Sequence, residues 1–282
     1  MKKVLSLFLA LVIMVTGFAV FSFTSSAEEY ASEMPEMKEY GFITARDGVK
    51  IEYGIYGDLS KDVLIMLPCN GGDMHNFDGN LLPEFAKHFK VIAVSPRGTG
   101  NSERGTGELT FDLEAEDLLC LLDELKIEKA HFFGYSDGGN LAIVFAVNYP
   151  DRVLSLVPVG ANISPWGTKI NSQIPIITKY IKYCIEAKIT GDEKIALKRD
   201  IQKMMVTQPK LKFKDLGKIT APTLNIYADD DMMYPWHSQR ITRSIPNAEE
   251  LRVPDSGHSD ILEFKDELFT RLFNFYKNIG AM

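Results

Sequence analysis

The residues best suited to chemistry lie in the segment Gly134–Gly138, with the sequence GYSDG. This segment follows the apolar run Ala130–Phe133, which is typical of a buried strand, and precedes a helical pattern over Leu141–Tyr149. A serine on a tight turn between a strand and a helix is held with its hydroxyl exposed, and glycines on either side let the flanking backbones approach closely. The spacing therefore predicts that Ser136 is a nucleophile.

A serine hydroxyl needs a base that removes its proton, and histidine titrates in the right pH range. The chain has five histidines, namely His75, His88, His131, His237 and His258. His131 lies at the far end of a predicted strand, and His88 and His237 fall in helical patterns, where exposure to solvent is expected. His75 and His258 lie in predicted loops after strands, so they are the candidates that the fold can bring to Ser136.

A histidine base in turn needs a carboxylate that fixes its tautomer and stabilises the imidazolium. Three consecutive aspartates, residues 229–231, follow the apolar run Thr223–Tyr227. The residue types alone leave all three open, because an acidic turn is often only a solvated surface feature.

The GYSDG segment in its strand–turn–helix setting, with an acid and then a histidine later in the chain, resembles the α/β-hydrolase superfamily over about residues 40–279. The resemblance implies an eight-stranded, mostly parallel sheet, helices on both of its faces, and acyl-enzyme chemistry. It implies His258 as the base, because the family histidine follows the last strand and a glycine. It implies Asp231 as the acid, because Pro235 keeps the family spacing although Ala228 replaces the usual glycine.

A tetrahedral intermediate needs two N–H donors for its oxyanion. The resemblance assigns one donor to the backbone of Asp137 and the other to the loop after the third strand. Family members usually carry His-Gly there, whereas this chain has Pro68-Cys69, which makes Asn70 the expected donor. We expect Cys69 to be a buried small residue rather than a second nucleophile.

The elements that must position these residues alternate between short apolar runs and amphipathic segments, which predicts an α/β fold. Predicted strands cover Tyr40–Ala45, Lys50–Tyr56, Val63–Leu67, Val91–Val94, Ala130–Phe133, Val153–Val159, Thr223–Tyr227 and Leu251–Val253. Predicted helices cover Leu81–Phe89, Leu113–Leu125, Leu141–Tyr149, Trp236–Ser244 and Ile261–Phe275. A turn at Asp47-Gly48 suits a hairpin between the first two strands, and Arg97 is expected to tie loops together.

Residues 162–218 interrupt this alternation, because they contain no strand pattern. Two helical segments, Ile174–Ala187 and Lys194–Met205, are separated by Gly191-Asp192. An insertion of this length exceeds ordinary connections in α/β proteins. It favours a small helical cap between core segments 40–161 and 219–282, with two ordinary covering helices as the alternative.

The N-terminus has the pattern of a targeting segment. Lys2 and Lys3 precede an almost wholly apolar run, Val4–Phe23, and small residues suit cleavage after Ala27. Residues 1–27 therefore predict a signal peptide, with an uncleaved N-terminal anchor as the alternative because the run is long enough to span a bilayer. Residues 28–39 are expected to be a flexible lead-in, and the protein to be secreted or at the extracytoplasmic cell surface.

Composition limits the possible partners. The formal net charge is −7 and the pI is near 5.4, so we expect no nucleic-acid binding. The three cysteines form no metal-binding pattern, and no nucleotide motif is present, so no metal and no cofactor are expected. The expected partner is a small-molecule substrate, with membrane contact only through an uncleaved N-terminal anchor. The oligomeric state stays open.

The function predicted from these features is that of a serine hydrolase, most simply a carboxylesterase for small to medium esters. An aminopeptidase, a C–C bond hydrolase or a perhydrolase would use the same three residues. The alternative outside enzymes is a binding or sensor protein on this fold, because a fold does not fix a function.

Overall fold

The computed structural model describes residues 33–79, 81–263 and 265–282. Within these ranges one sheet has the strand order β1-β2-β4-β3-β5-β6-β7-β8. The strands are β1 Met37–Thr44, β2 Lys50–Gly57, β3 Val63–Leu67, β4 Lys90–Val94, β5 Ala130–Tyr135, β6 Val153–Val159, β7 Thr223–Asp230 and β8 Ala248–Gly257. The pairs β1–β2 and β2–β4 are antiparallel, and the other neighbours are parallel. The predicted eight-stranded, mostly parallel sheet is confirmed.

Helices cover both faces of this sheet, as predicted. They are α1 Leu81–Ala86, α2 Phe111–Glu124, α3 Asp137–Asn148, α4 Ile170–Thr190, α5 Glu193–Thr207, α6 Pro235–Ser244 and α7 Lys265–Asn278. Side chains of α2, α3 and α6 pack into one apolar core, and side chains of α1 and α7 pack into another. In β3, Ile65 and Leu67 belong to the first core, whereas Leu64 and Met66 belong to the second. A strand buried on both faces is apolar throughout, which is why its sequence shows no alternation.

Several predicted boundaries are wrong. Strand β1 begins at Met37 rather than Tyr40, so the predicted lead-in 28–39 extends too far. Strand β8 covers Ala248–Gly257, far more than Leu251–Val253, because it lies at the sheet edge and many of its side chains are exposed. The last helix begins at Lys265, and Ile261–Glu263 form a separate short 3₁₀ turn.

The predicted insertion contains α4 and α5, which pack against each other. Gly191, with φ of 66°, ends α4, and the Asp192 carboxylate accepts the Lys194 N–H at 2.7 Å to cap α5. The predicted break at Gly191-Asp192 is thereby confirmed. Residues Ser32–Met282 form one compact unit, so the insertion belongs to the same unit as the sheet.

Arg97 joins two distant parts of the fold, as expected. Its guanidinium donates to Asp47 in the β1–β2 turn at 2.7 and 2.9 Å. It also donates to Asp117 on α2 at 2.5 and 2.7 Å. The Arg97 side chain is only 1% exposed, so the two carboxylates neutralise a charge that is largely removed from water.

The predicted signal peptide or anchor, residues 1–27, lies outside the described residues. Among the helices that the structure describes, none has the length and apolar character needed to cross a bilayer.

Candidate active site

Ser136 lies at the turn between β5 and α3 in an unusual backbone conformation, with φ of 56° and ψ of −117°. A side chain at Gly134 would collide with the backbone of Gly138, and one at Gly138 would collide with the carbonyl of Leu67. Both glycines are therefore required by close backbone approach. The Ser136 N–H donates to the Val159 carbonyl at 2.8 Å, which holds the turn against β6.

The structure brings Ser136, His258 and Asp231 together, although they are far apart in the chain. His258 Nε2 lies 3.0 Å from Ser136 Oγ. His258 Nδ1 lies 2.7 Å from Asp231 Oδ1. In this geometry Nδ1–H donates to the carboxylate, which leaves Nε2 free to accept the serine proton.

The neighbouring aspartates point to other partners. Asp229 forms an ion pair with Arg252 at 2.5 Å, and Asp230 forms one with Lys169 at 2.8 Å. Of the three candidates, the structure places only Asp231 beside the imidazole.

The Asp231 carboxylate is held in its ionised form. Burial raises its pKa, but the hydrogen bond and positive charge of His258 and the N–H groups of Ala228 and Met233 outweigh burial, so the pKa lies below the ordinary value. Those two N–H groups lie 3.2 and 3.4 Å from the carboxylate oxygens. The group is therefore an anion that can stabilise an imidazolium.

Two residues that the sequence analysis missed hold His258 in place. The Tyr135 ring stacks on the imidazole with centroids 5.5 Å apart, and its hydroxyl donates to the His258 carbonyl at 2.6 Å. Gly160, with φ of 58°, lies against the ring, where a side chain would come within 2.9 Å of it. The sequence offered one indication of the role of Gly160, namely a glycine directly after a predicted strand. It offered no indication of the role of Tyr135.

The expected oxyanion donors lie next to Ser136. Asp137 is the first residue of α3, and N–H groups in the first turn of a helix have no intrahelical partner. Asn70 lies in a turn that the Gly72 N–H closes onto the Cys69 carbonyl at 2.9 Å. Gly71 adopts φ of 72° there, so it supplies the freedom that Cys69 lacks. The donor roles of Asn70 and Asp137 stay predictions.

The carboxylate of Asp137 is a further feature that the sequence analysis missed. It accepts hydrogen bonds from the side-chain amides of Asn70 at 2.7 Å and Asn140 at 3.0 Å. Burial raises the pKa of Asp137 to about 6, despite these donors and nearby His258. Asp137 and the buried Glu114 both line a cavity of about 30 Å³ behind the Asn70 loop. Asp137 thus ties the Asn70 loop to the start of α3.

Cys69 is half-buried, and its thiol lies 3.1 Å from the Asn76 side-chain oxygen. Burial, and then the charge of Asp137, raise its pKa, which favours the unreactive thiol. This supports the expectation of a packing role. In the described part of the chain, no group of three or more His, Cys, Asp or Glu side chains is arranged to hold a metal ion.

One expectation about the other histidines is wrong. His237 is 1% exposed rather than a surface residue. Its Nε2 accepts the Ile163 N–H at 3.2 Å, and burial lowers its pKa to about 4. The segment between β6 and α4 covers His237, since Ile163 and Gly167 lie against its ring. The periodicity of the helix that contains His237 does not reveal this cover. His75 is exposed and paired with Asp78 at 2.8 Å.

A pocket of about 330 Å³ opens onto Ser136 and His258. Its other walls come from the Asn70 loop, from α4 and from α5. The lining residues are Cys69, Asn70, Tyr135, Ser136, Pro175, Ile176, Lys179, Gln202, Met205, Met232 and His258. The helical insertion therefore forms part of the wall around the candidate nucleophile.

A serine, a histidine and an aspartate linked in this way at the carboxyl ends of the strands of a mostly parallel sheet are characteristic of α/β-hydrolases. A family model described as the alpha/beta hydrolase fold matches residues 62–181. A 2-hydroxy-6-oxononadienedioate/2-hydroxy-6-oxononatrienedioate hydrolase of Paraburkholderia phymatum is 30% identical over 269 residues, covering 80% of this chain and 91% of that protein. The chain therefore belongs to the α/β-hydrolase family.

Two further known proteins are similar to this chain, one in sequence and one in fold. The human serine hydrolase BPHL is 24% identical over 243 residues, covering 79% of this chain and 81% of that protein. The structure of an enol-lactonase from Burkholderia xenovorans LB400 has a TM-score of 0.66 at 20% identity and covers 84% of this chain and 99% of that chain. Family membership supports a serine hydrolase function.

Proposed function

We propose that this chain is a serine hydrolase that cleaves carboxylic esters through an acyl-enzyme, with Ser136, His258 and Asp231 as its catalytic residues. The observation that carries the proposal is the continuous hydrogen-bonded line from Ser136 Oγ through the imidazole to Asp231, at 3.0 and 2.7 Å. A solvent-facing serine without such a base is a poor nucleophile.

In the first half-reaction, Ser136 Oγ attacks the ester carbonyl carbon while His258 Nε2 takes the hydroxyl proton. The N–H groups of Asn70 and Asp137 hold the negative oxygen of the tetrahedral intermediate. The intermediate collapses, the ester C–O bond breaks, and His258 returns the proton to the leaving alcohol. Water then attacks the acyl-enzyme by the same route, which releases the acid and restores Ser136.

The size of the pocket supports small to medium esters. A volume of about 330 Å³ lies at the low end of small-molecule sites. Ile176, Met205 and Met232 supply apolar walls beside Ser136, which suits an uncharged acyl chain.

Labelling with a fluorophosphonate probe tests the nucleophile, and p-nitrophenyl esters of increasing acyl length test the substrate class. We expect the wild type to be labelled and to hydrolyse short esters best, and Ser136→Ala to do neither. Equal labelling of both proteins would overturn the proposal. If Ser136→Ala kept the full biological activity of the protein, a binding or sensor function would be favoured instead.

A second candidate is hydrolysis of a C–C bond, because the 30% identical relative from Paraburkholderia phymatum is a 2-hydroxy-6-oxononadienedioate/2-hydroxy-6-oxononatrienedioate hydrolase. Turnover of that substrate class, measured beside the p-nitrophenyl series on the same preparation, separates the two reactions. A kcat/KM for the dienedioate more than about 100-fold above that for every ester would favour the C–C reaction.

We also propose that residues 1–27 direct export, so that the mature protein is secreted or lies at the extracytoplasmic surface. The support is the pattern of Lys2, Lys3 and the apolar run Val4–Phe23. N-terminal sequencing of the mature protein tests this: a start at Glu28 is expected, and a start at Met1 would indicate an anchor or no processing.

A further inference from the structure

Helix α4 carries a line of isoleucines that face solvent. The exposed positions are Ile170, Ile174, Ile177, Ile181, Ile185 and Ile189, with exposed fractions from 37% to 78%. Their spacing of three or four residues places them along one side of the helix. Large apolar side chains are exposed singly on most proteins, whereas a continuous exposed line marks an interaction surface.

These isoleucines lie on a different side of α4 from the side that packs onto the protein. Ile176 and Ala187 are buried on that packed side. Trp166, directly before α4, is 87% exposed, which extends the apolar surface beyond the first turn. We call the six isoleucines together with Trp166 the α4 apolar face.

The charge of this part of the chain is opposite to that of the whole. Residues 162–218 contain twelve Lys and Arg against five Asp and Glu, a net charge of +7, whereas the chain carries −7. Lys182 and Lys188 are exposed beside the isoleucines, and Lys182 has only a loose pairing with Glu186 at 3.7 Å. An amphipathic helix with a large apolar face and neighbouring lysines suits a membrane surface that carries negative charge.

We propose that the α4 apolar face docks on an anionic lipid bilayer, with the isoleucines and Trp166 entering the interface and the lysines contacting the headgroups. A second copy of this chain is the other occupant to consider. A symmetric dimer through this face would bring α4 against itself, and this helix has three lysines against one glutamate, a net charge of +2 on each side. Charge therefore favours the bilayer over self-association.

The docking surface and the candidate site involve opposite sides of helix α4. Pro175, Ile176 and Lys179 of α4 line the pocket that opens onto Ser136. The docking surface and the candidate site thus share one helix. The proposal concerns binding and goes beyond the proposed ester hydrolysis, so either can fail alone. It also differs from the sequence expectation that membrane contact involves only the N-terminus.

The test uses the chain from Glu28, which contains the whole compact unit Ser32–Met282 and lacks the apolar N-terminal run. Binding is measured by co-sedimentation with vesicles of phosphatidylcholine and phosphatidylglycerol, and with vesicles of phosphatidylcholine alone. The test variant is Ile181→Ser/Ile185→Ser/Ile189→Ser, and the control is Leu59→Ser, because Leu59 is an equally large apolar residue, 55% exposed, in the connection between β2 and β3. Thermal unfolding and hydrolysis of a soluble short ester check the fold of each variant.

We expect binding to anionic vesicles, a blue shift of tryptophan emission that the Trp166→Phe variant lacks, and weakening of binding by salt. The triple variant should lose at least about tenfold in partition coefficient, whereas Leu59→Ser and Ser136→Ala should bind as the wild type does. Absence of binding to anionic vesicles, or equal binding by the triple variant, would overturn the proposal. A concentration-dependent dimer in sedimentation velocity that the triple variant abolishes would assign this face to a second copy instead.

Discussion

The Tyr135 hydroxyl donates a hydrogen bond to the main-chain carbonyl of His258 at 2.6 Å, and the two rings stack. Tyr135 directly precedes Ser136, so the residue next to the candidate nucleophile also positions the candidate base. The strand that ends at the serine thereby fixes one end of the loop that carries the histidine. This hydrogen bond restrains both Ser136 and His258, and it involves neither the serine hydroxyl nor the imidazole nitrogens.

Tyr135→Phe should remove this hydrogen bond and keep the stacked ring. We expect kcat for a short ester to fall about three- to tenfold with little change in KM, because the imidazole is less well oriented once the substrate is bound. Stability should fall by about 1 kcal/mol. Steady-state kinetics and urea unfolding measure the two effects. A raised KM at unchanged kcat would contradict a positioning role.

Gly160→Ala should damage the site more than its backbone strain alone predicts. Gly160 has a positive φ, and a methyl group there would press on the His258 ring. The matched control is Gly48→Ala, because Gly48 also has a positive φ but has open space around it. Both variants should lose about 1–2 kcal/mol of stability from the backbone. Only Gly160→Ala should lose kcat, on the order of 100-fold, and equal kcat values for the two variants would contradict the contact.

Asp231→Asn should lower kcat by about 10⁴-fold, because an amide in that position favours the wrong imidazole tautomer. The adjacent variant Asp230→Asn is the control, since the Asp230 side chain is 92% exposed and pairs with Lys169. It should leave kcat within about twofold of the wild type, because exposed ion pairs contribute little. Comparable losses in the two variants would mean that the acid has been assigned wrongly.

The Asp137 carboxyl should make stability depend on pH. Burial raises its pKa in the folded protein to about 6, above the ordinary value of 3.8. Below the unfolded pKa both states are protonated and the contribution is fully present. It is lost as pH rises towards 6, because only the unfolded state ionises in that window.

Asp137→Asn removes this titration. The free energy of unfolding of the wild type relative to the variant should therefore fall by about 2 kcal/mol between pH 4 and pH 7, because part of the full change, at about 1.36 kcal/mol per pKa unit, is already lost at pH 4. The variant also lowers the pKa of buried Glu114, because burial and the negative charge of Asp137 raise that pKa in the wild type, so the measured fall includes this change. Urea unfolding at several pH values gives the difference, with Asp230→Asn as the exposed control. Parallel curves for wild type and Asp137→Asn would contradict the raised pKa.

Arg97→Met should destabilise the fold by about 3–5 kcal/mol, because it leaves the buried Asp117 carboxylate without its partner. The control is Arg271→Met, since the side chains of Arg271 and its partner Glu249 are 43% and 49% exposed. That variant should lose about 1 kcal/mol or less, and the difference appears in urea unfolding at pH 7. Similar losses would mean that Arg97 contributes mainly through its alkyl stem.

The features that the sequence predicted correctly depend on residues that are close together in the chain. The central strands are continuous apolar runs because both of their faces are buried, and the glycines around Ser136 reflect a local close approach of the backbone. Edge elements were predicted less well. β8 exposes many of its side chains, so the apolar run marked only its middle.

Tertiary structure decided what depends on contacts between distant residues. Three adjacent aspartates are equivalent by type, and only the folded chain shows that Asp231 meets a histidine 27 positions later. The burial of His237 depends on segments that its own helical periodicity does not describe.

The sequence by itself therefore determined the strands of the sheet and the turn at Ser136, because periodicity and glycine spacing are local properties, and the family resemblance implied the order of the candidate triad. The tertiary structure showed which of the three aspartates contacts His258, and it alone decided the support of His258 by Tyr135 and Gly160 and the exposure of the isoleucines on α4. The physical reason is that burial, ring contacts and hydrogen-bond partners arise where separate elements pack, and local patterns carry no record of which elements those are.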